Sequence, residues 1–303
     1  MTASPGKRVR TIFFFGNLGG GFRTGVDLYR LAPHCLWFNA DNQGRTSPAP
    51  VWGAAQQGRV AWSVMKGRTI TNVTGSWSTG SPLWRNAAKS PAEAEIWMAQ
   101  TAASGMALWY HWLGAQTGLG EDRRWQEHGR RFLQWHARHN AHFLNRRPIA
   151  NIAVLLPQRT QTFYQNPGEG DAGEHIQGWY AALLEGRHAF AFVHEDDLSQ
   201  ETLAPFDLLI LPNAAWLSDA QCRRIAQFAA HGGSVIADFE TSLYDERGAE
   251  RAEFGLAPLF GIRRTGDRTG SRGFYNSFYA RIEQPGHELL RGFANTRWLA
   301  GAE

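Results

Sequence analysis

Between Thr11 and about Arg147 the apolar positions fall in short unbroken runs: TIFFFGN at 11–17, HCLWFNAD at 34–41, TITNVTGSW at 69–77 and MALWYHWLG at 106–114. Unbroken runs of this length, separated by loops and helical stretches, predict strands of a parallel sheet covered on both faces. Between the third and fourth runs Ser90 reads as an N-cap, Pro91 as the first helical residue and Glu93 as the closing member of a capping box, and Ser104-Gly105 ends the helix. A longer helix follows over Glu121–Asn145, with Trp125, Phe132, Leu133, His136 and Phe143 spaced for one buried stripe. Four β/α units in this length make half of an eight-unit barrel at most, or a smaller open sheet.

After Arg146-Arg147-Pro148 the alternation restarts. IANIAVLLP, HAFAFVHED, DLLILPN and GGSVIADFE read as strands, EHIQGWYAALLEG as a helix between the first two, and Ser218 with Gln221 as the capping box of a helix between the last two. Strands alternating with helices predict a parallel, doubly wound sheet. From about Arg264 the chain turns into Gly- and Arg-rich loop with short strand-like runs. The expected division is therefore 1–147, 148–263 and a β-rich segment beginning at 264.

Composition narrows the function classes. The net charge of +4 comes from basic and acidic residues interleaved along most of the chain, which disfavours nucleic acid as a partner. The exception is the helix carrying Arg123, Arg124, Arg130, Arg131, Arg138, Arg146 and Arg147, read as a solvated outer face with arginines lying over aromatic rings. No apolar run reaches the length of a membrane span, and Met1–Arg10 lacks the apolar core of an export signal, so the chain as written is expected in the cytoplasm. The two cysteines, Cys35 and Cys222, are too far apart in sequence for a zinc spacing and read as buried small hydrophobes.

Ligands of such sheets bind beyond the carboxyl ends of the strands. The residues there are Asn17; then Asn39, Asp41, Asn42, Gln43 and Arg45; then Asn72, Thr74, Ser76 and Trp77; then Tyr110, His111 and Trp112. Amides, hydroxyls and aromatic faces, with 13 tryptophans in the chain, suit a neutral hydroxyl-rich ligand such as a sugar. The glycines of GNLGGGF do not follow the dinucleotide spacing. His136, His139 and His142 fan over about 120° of helix surface and do not converge on one metal. Neither cofactor nor metal is therefore expected. Asp41 is the one carboxylate directly at a strand end; glycoside hydrolysis needs two, and Asp27, Glu121 and Asp122 are the candidates for its partner, each also readable as a helix-start or surface charge. An alternative reading pairs Asp41 with Arg45 as a loop ion pair. In the second region Asn213-Ala214-Ala215-Trp216 offers neither Cys nor Ser at the strand-to-helix turn where an amidotransferase-like fold places its nucleophile.

The segments TNVTGSW, SGMALWYHWLG and EDRRWQEHGRRFLQWHARHNAHFLNRRPIANIAVLLPQ together resemble the end of the catalytic barrel, and its junction with the next domain, in bacterial glycoside hydrolases related to family 42. LILPNAAWLSDAQCRRIAQFAAHGGSVIADFETSLYDERG is similar to the β-galactosidase trimerisation domain of that family, a flavodoxin-like or class I amidotransferase-like unit. The resemblance implies the C-terminal half of a (β/α)₈ barrel followed by that domain. It further implies β-galactosidase-like activity on a carbohydrate, or a carbohydrate-binding and oligomerisation module without turnover, and a homo-oligomer such as a trimer. It places Asp41 as catalytic and Asn39, Asn42, Gln43, Arg45, Trp77, Trp109, Tyr110 and His111 around the sugar. The sequence departs from the family in lacking the strands that open the barrel and in having no Glu in ITNVTGSW, where the nucleophile is expected.

Overall fold

The structure, a computed structural model, describes residues 27–44, 50–77, 88–112, 123–143, 148–164, 172–266, 278–293 and 295–301. The first run, TIFFFGN, lies outside them. The first group of elements is α1 (Leu28–Leu31), β1 (Trp37–Asn42), a 3-10 turn at Val51–Ala55 leading into α2 (Gln56–Met65), β2 (Thr69–Gly75), α3 (Pro91–Ala103), β3 (Ala107–His111) and α4 (Arg124–Phe143). The strands form a parallel sheet in the order β1-β2-β3, and the helices supply the long crossovers that parallel neighbours require. Ser90 caps α3 as the sequence predicts, its hydroxyl accepting from the Glu93 N–H at 3.3 Å. The sequence carries no such signal for α2, which starts without a side-chain cap and ends at Lys66 in the left-handed region, φ 49°.

Phe38 and Ala40 of β1 and Ile70 of β2 pack with Leu28, Ala61, Val64, Met65 and Met106 under α2. Burial of one Leu, Ile or Phe side chain is worth about 1.5–3 kcal/mol, so this face holds the sheet to its helices. The opposite face departs from expectation. Trp109 on β3 is 45% exposed, so the sheet is not covered on both faces by the described residues.

The second group is β4 (Ile152–Leu156), α5 (Gln158–Phe163), α6 (Ala172–Glu185), β5 (Phe190–His194), α7 (Gln200–Leu203), β6 (Leu208–Leu211), α8 (Asp219–Ala230), β7 (Ser234–Ala237) and α9 (Ala257–Phe260). Its sheet is parallel in the order β5-β4-β6-β7. Ala153, Leu155, Leu209 and Leu211 pack with Cys222 and Ile225 of α8, while Ile152, Val154, Leu156 and Ile210 pack with Ile176, Tyr180 and Leu183 of α6. Here both faces are covered over β4, β5 and β6, which is why β4 reads as an unbroken apolar run. The capping box of α8 is complete: Ser218 Oγ accepts from the Gln221 N–H at 3.2 Å and Gln221 Oε1 accepts from the Ser218 N–H at 2.8 Å. Cys35 and Cys222 are buried free thiols.

The two groups meet through α2 and the turn before it. Tyr180 Oη donates to the Trp52 carbonyl at 3.1 Å, and the Arg59 guanidinium lies 4.7 Å from the centre of the Phe190 ring. Trp52 and Val60 extend the core beneath α6. Beyond them β8 (Phe278–Arg281) and β9 (Trp298–Gly301) form an antiparallel pair. No helix among the described residues is long and apolar enough to cross a membrane.

Candidate functional site

Strand register builds the site in rows. Asn39, Thr71 and Ala107 are partners across β1, β2 and β3; Asp41, Val73 and Trp109 form the next row, and Gly75 pairs with His111 beyond it. Side chains alternate along a strand, and Phe38, Ala40 and Ile70 are taken up by the helix-covered face. Asn39, Asp41, Thr71, Trp109 and His111 therefore share the opposite face, toward the carboxyl ends of the strands. With strands about 4.8 Å apart, Asp41 and Trp109 stand roughly 10 Å from each other across β2.

Local bonds fix these groups. Thr71 Oγ1 donates to Asn39 Oδ1 at 2.9 Å, and the Asp41 N–H donates to Gln57 Oε1 of α2 at 2.9 Å. Asp41 Oδ1 is buried and has no hydrogen-bond partner among the described residues. A buried acceptor without a donor costs about 1–3 kcal/mol, so this atom is poised for one. The Ser76 hydroxyl and N–H both donate to the His111 carbonyl, at 2.8 and 2.9 Å, which pins the end of β3 against β2.

Other expected site residues are placed differently. Trp77 is 3% exposed and its ring fills the space over Gly44 and Gly75, where any Cβ would collide with it; it is a wedge between backbones and not an open stacking surface. Tyr110 is one residue out of step with Trp109 and packs on α4, against Gly129 and with its ring centre 6.1 Å from that of Trp125. Burial there pushes its hydroxyl pKa up to about 12. Asn72 is likewise on the helix side, fully buried, with Nδ2 donating to the Ala54 carbonyl at 3.0 Å and Thr101 Oγ1 at 2.8 Å. Asn42 pairs with Thr74 in the ladder, the Gln43 carbonyl accepts from Lys89 Nζ at 3.5 Å, and Arg45 and Asn17 lie outside the described residues. Of the candidates for a second carboxylate, Asp27 caps α1 by accepting from the Arg30 N–H at 3.0 Å, whereas Glu121 and Asp122 lie outside the described residues.

Sequence reasoning passed over Thr71, Gln57 and Lys89. Thr71 is legible as the same-face neighbour of Asn39 once register is known. Lys89 is not: it is 3% exposed, its Nζ 3.4 Å from the centre of the Trp97 ring, and its position depends on the bridge between Trp77 and Ala88 and on its N–H donating to the Ser76 carbonyl at 2.7 Å. Among the described residues no group of three or more His, Cys, Asp or Glu side chains is arranged to hold a metal. His136 is buried with its pKa lowered by desolvation, while His139 Nδ1 lies 2.8 Å from the Trp135 carbonyl.

No protein-family model and no curated protein matches the sequence. Solved structures do. The β-galactosidase of Bacillus circulans sp. alkalophilus superposes with a TM-score of 0.72 over 87% of this chain and 41% of its own, at 15% identity. The chain has the fold of part of a β-galactosidase. The cold-adapted β-galactosidase of Rahnella sp. R3 gives a TM-score of 0.71 over 89% of this chain and 42% of that one, at 15% identity. A catalytic mutant of a GH42 β-galactosidase from G. stearothermophilus gives 0.65 over 86% and 41%, at 14% identity. The chain spans about two fifths of the length of these β-galactosidases.

Proposed function

We propose that this chain is part of a glycoside hydrolase of β-galactosidase type, with β1–β3 as the C-terminal half of a (β/α)₈ barrel within residues 1–147. β4–β7 then form a flavodoxin-like assembly domain over 148–263, and a β-rich segment begins at 264. The observation that carries the reading is the row Asp41–Val73–Trp109: a carboxylate with a buried oxygen that no described residue bonds and a half-exposed indole face the same side of a parallel sheet, toward its carboxyl end. In this reading the indole carries the apolar face of a sugar ring, Asp41 accepts from its hydroxyls, and Asn39, Gln43 and His111 complete the wall. Asp41 is one member of the carboxylate pair that cleavage requires, about 5–5.5 Å apart for retention or about 6.5–9.5 Å for inversion.

Asp27, the one candidate partner among the described residues, is occupied as a helix cap. That favours a second reading, a module that binds carbohydrate and assembles without turnover. Aryl β-galactoside hydrolysis and galactose calorimetry, on the chain and on folded Asp41→Asn, separate the two. Turnover lost in the variant supports the hydrolase, binding without turnover supports the module, and absence of both overturns the sugar reading. The exposed Ile236 on edge strand β7 is the feature that supports assembly through the second domain, and light scattering of the purified chain tests it.

A further inference from the structure

A second constellation lies at the carboxyl ends of β6 and β7, outside the site on the first sheet. β4 is flanked by β5 on one side and β6 on the other, so the strand order reverses beside these ends. Doubly wound sheets open a crevice at such a point. Asp238, directly after β7, is held by three donors: the Asn213 N–H at 2.6 Å and His175 Nδ1 at 3.1 Å on Oδ1, and Trp179 Nε1 at 2.5 Å on Oδ2. A carboxylate only accepts, so Nδ1 of His175 carries a proton, and the tautomer protonated there alone presents Nε2 as an acceptor. Nothing among the described residues bonds Nε2, and His175 is partly exposed. Phe239 stacks on the His175 ring, centres 5.6 Å apart, and is 45% exposed.

Two further features mark the place. Asn213 and Phe239 both adopt the left-handed region, with φ of 33° and 48°, which costs a residue with a side chain of order 1–3 kcal/mol. Asn213 is itself buried, and no described residue bonds its Oδ1. The charge of Asp238 is already met by its three donors, so the place does not call for a cation. What it offers is a fixed acceptor beside an open aromatic face.

We propose that this crevice binds a neutral sugar or polyol ring, one hydroxyl donating to His175 Nε2 while the C–H face of the ring lies against Phe239, with Asp238 positioning the imidazole. The site is separate from the Asp41 row and does not depend on its activity.

Calorimetric titration of the 303-residue chain with methyl β-galactoside, glucose and mannitol tests the proposal, in Trp109→Ala, Phe239→Ala, His175→Ala and Trp109→Ala/Phe239→Ala forms whose melting curves match the parent. Phe239 is half exposed, so its removal leaves the core intact. The expected result is saturable binding that persists in Trp109→Ala, weakens at least tenfold in Phe239→Ala and His175→Ala, and vanishes in the double variant. Binding that is abolished by Trp109→Ala, or unchanged by both second-sheet substitutions, overturns the proposal while leaving the first site standing; binding by none of the three probes overturns it as well.

Discussion

Tyr29 of the first α/β group and His194 of the second stack face to face, their ring centres 4.4 Å apart and their planes 8° from parallel. Nδ1 of His194 accepts from the Asp196 N–H at 3.2 Å, so the neutral ring carries its proton on Nε2 and donates to Gln158 Oε1 at 2.8 Å. This stacked pair between the two groups is thus made by an uncharged imidazole. Desolvation lowers its pKa to about 4, against the opposing pull of Asp196 and Asp27.

The pH consequence of that burial has a definite sign. A histidine whose folded pKa is depressed contributes stability that is full above its ordinary value near 6.5 and is lost on acidification through about 4. The shift corresponds to ~3 kcal/mol. Melting temperatures of the parent and of His194→Gln, followed from pH 7 to 4, are expected to converge as pH falls; a constant gap across that window contradicts the assignment.

Glu195, the next residue, behaves oppositely. It is 1% exposed, and burial pushes its pKa up to about 8 although Arg159 draws it down through contacts at 2.9 Å from both its N–H and its guanidinium. A raised carboxyl contributes stability below its ordinary value and loses it as pH rises through about 8. Glu195→Gln does not titrate, so its stability relative to the parent should increase between pH 5 and 8 in chemical denaturation, and a falling ratio would reverse the sign assigned here.

Gly129 sits in the middle of α4 where a Cβ would come within 2.6 Å of the Tyr110 ring. Alanine there gains about 1 kcal/mol of helix propensity but forces an overpacked contact costing typically 1–3 kcal/mol. Gly129→Ala should therefore be neutral to destabilising in urea titration and Gly129→Ala/Tyr110→Leu less so; a stabilised single variant would mean that α4 does not pack on β3 this closely.

Asn72 bridges β2 to the helices through its two bonds to Ala54 and Thr101. Asn72→Ala strands the Ala54 carbonyl in the interior, and a loss of about 2–4 kcal/mol is expected in denaturant midpoints. Sugar binding should be unaffected when measured below the transition, because Asn72 faces away from the Asp41 row.

Trp109→Ala removes the open aromatic face of that row while leaving the helix-covered core in place. Methyl β-galactoside affinity at the first site is expected to fall by tenfold or more, a loss of about 1.4 kcal/mol or greater. Unchanged affinity at that site would remove Trp109 from it.

The α/β alternation, the strand positions β1 to β7 and the starts of α3 and α8 were legible in the chain, because apolar runs and capping boxes are local signals. Ser90 with Glu93 and Ser218 with Gln221 act within one helical turn and need no tertiary context. α2 was not legible, since it begins without a side-chain cap and its place is fixed by packing between β1 and β5. Asp41, Asn39, Trp109 and His111 could be named as strand-end residues from the apolar runs, but nothing in the sequence told them from Trp77, which is buried between backbones, or from Tyr110, which packs under α4.

Sequence by itself thus determined which residues stand at strand ends and that their chemistry is amide, hydroxyl, aromatic and one carboxylate. Only the tertiary structure decided which face each of them takes. Side chains alternate with a period of two, so a single step along β3 moves Trp109 to the open face and Tyr110 under α4. The register that aligns Asp41 with Trp109, and the long-range bonds that gather His175, Trp179 and Asn213 around Asp238, join residues distant in the chain and carry no local signature.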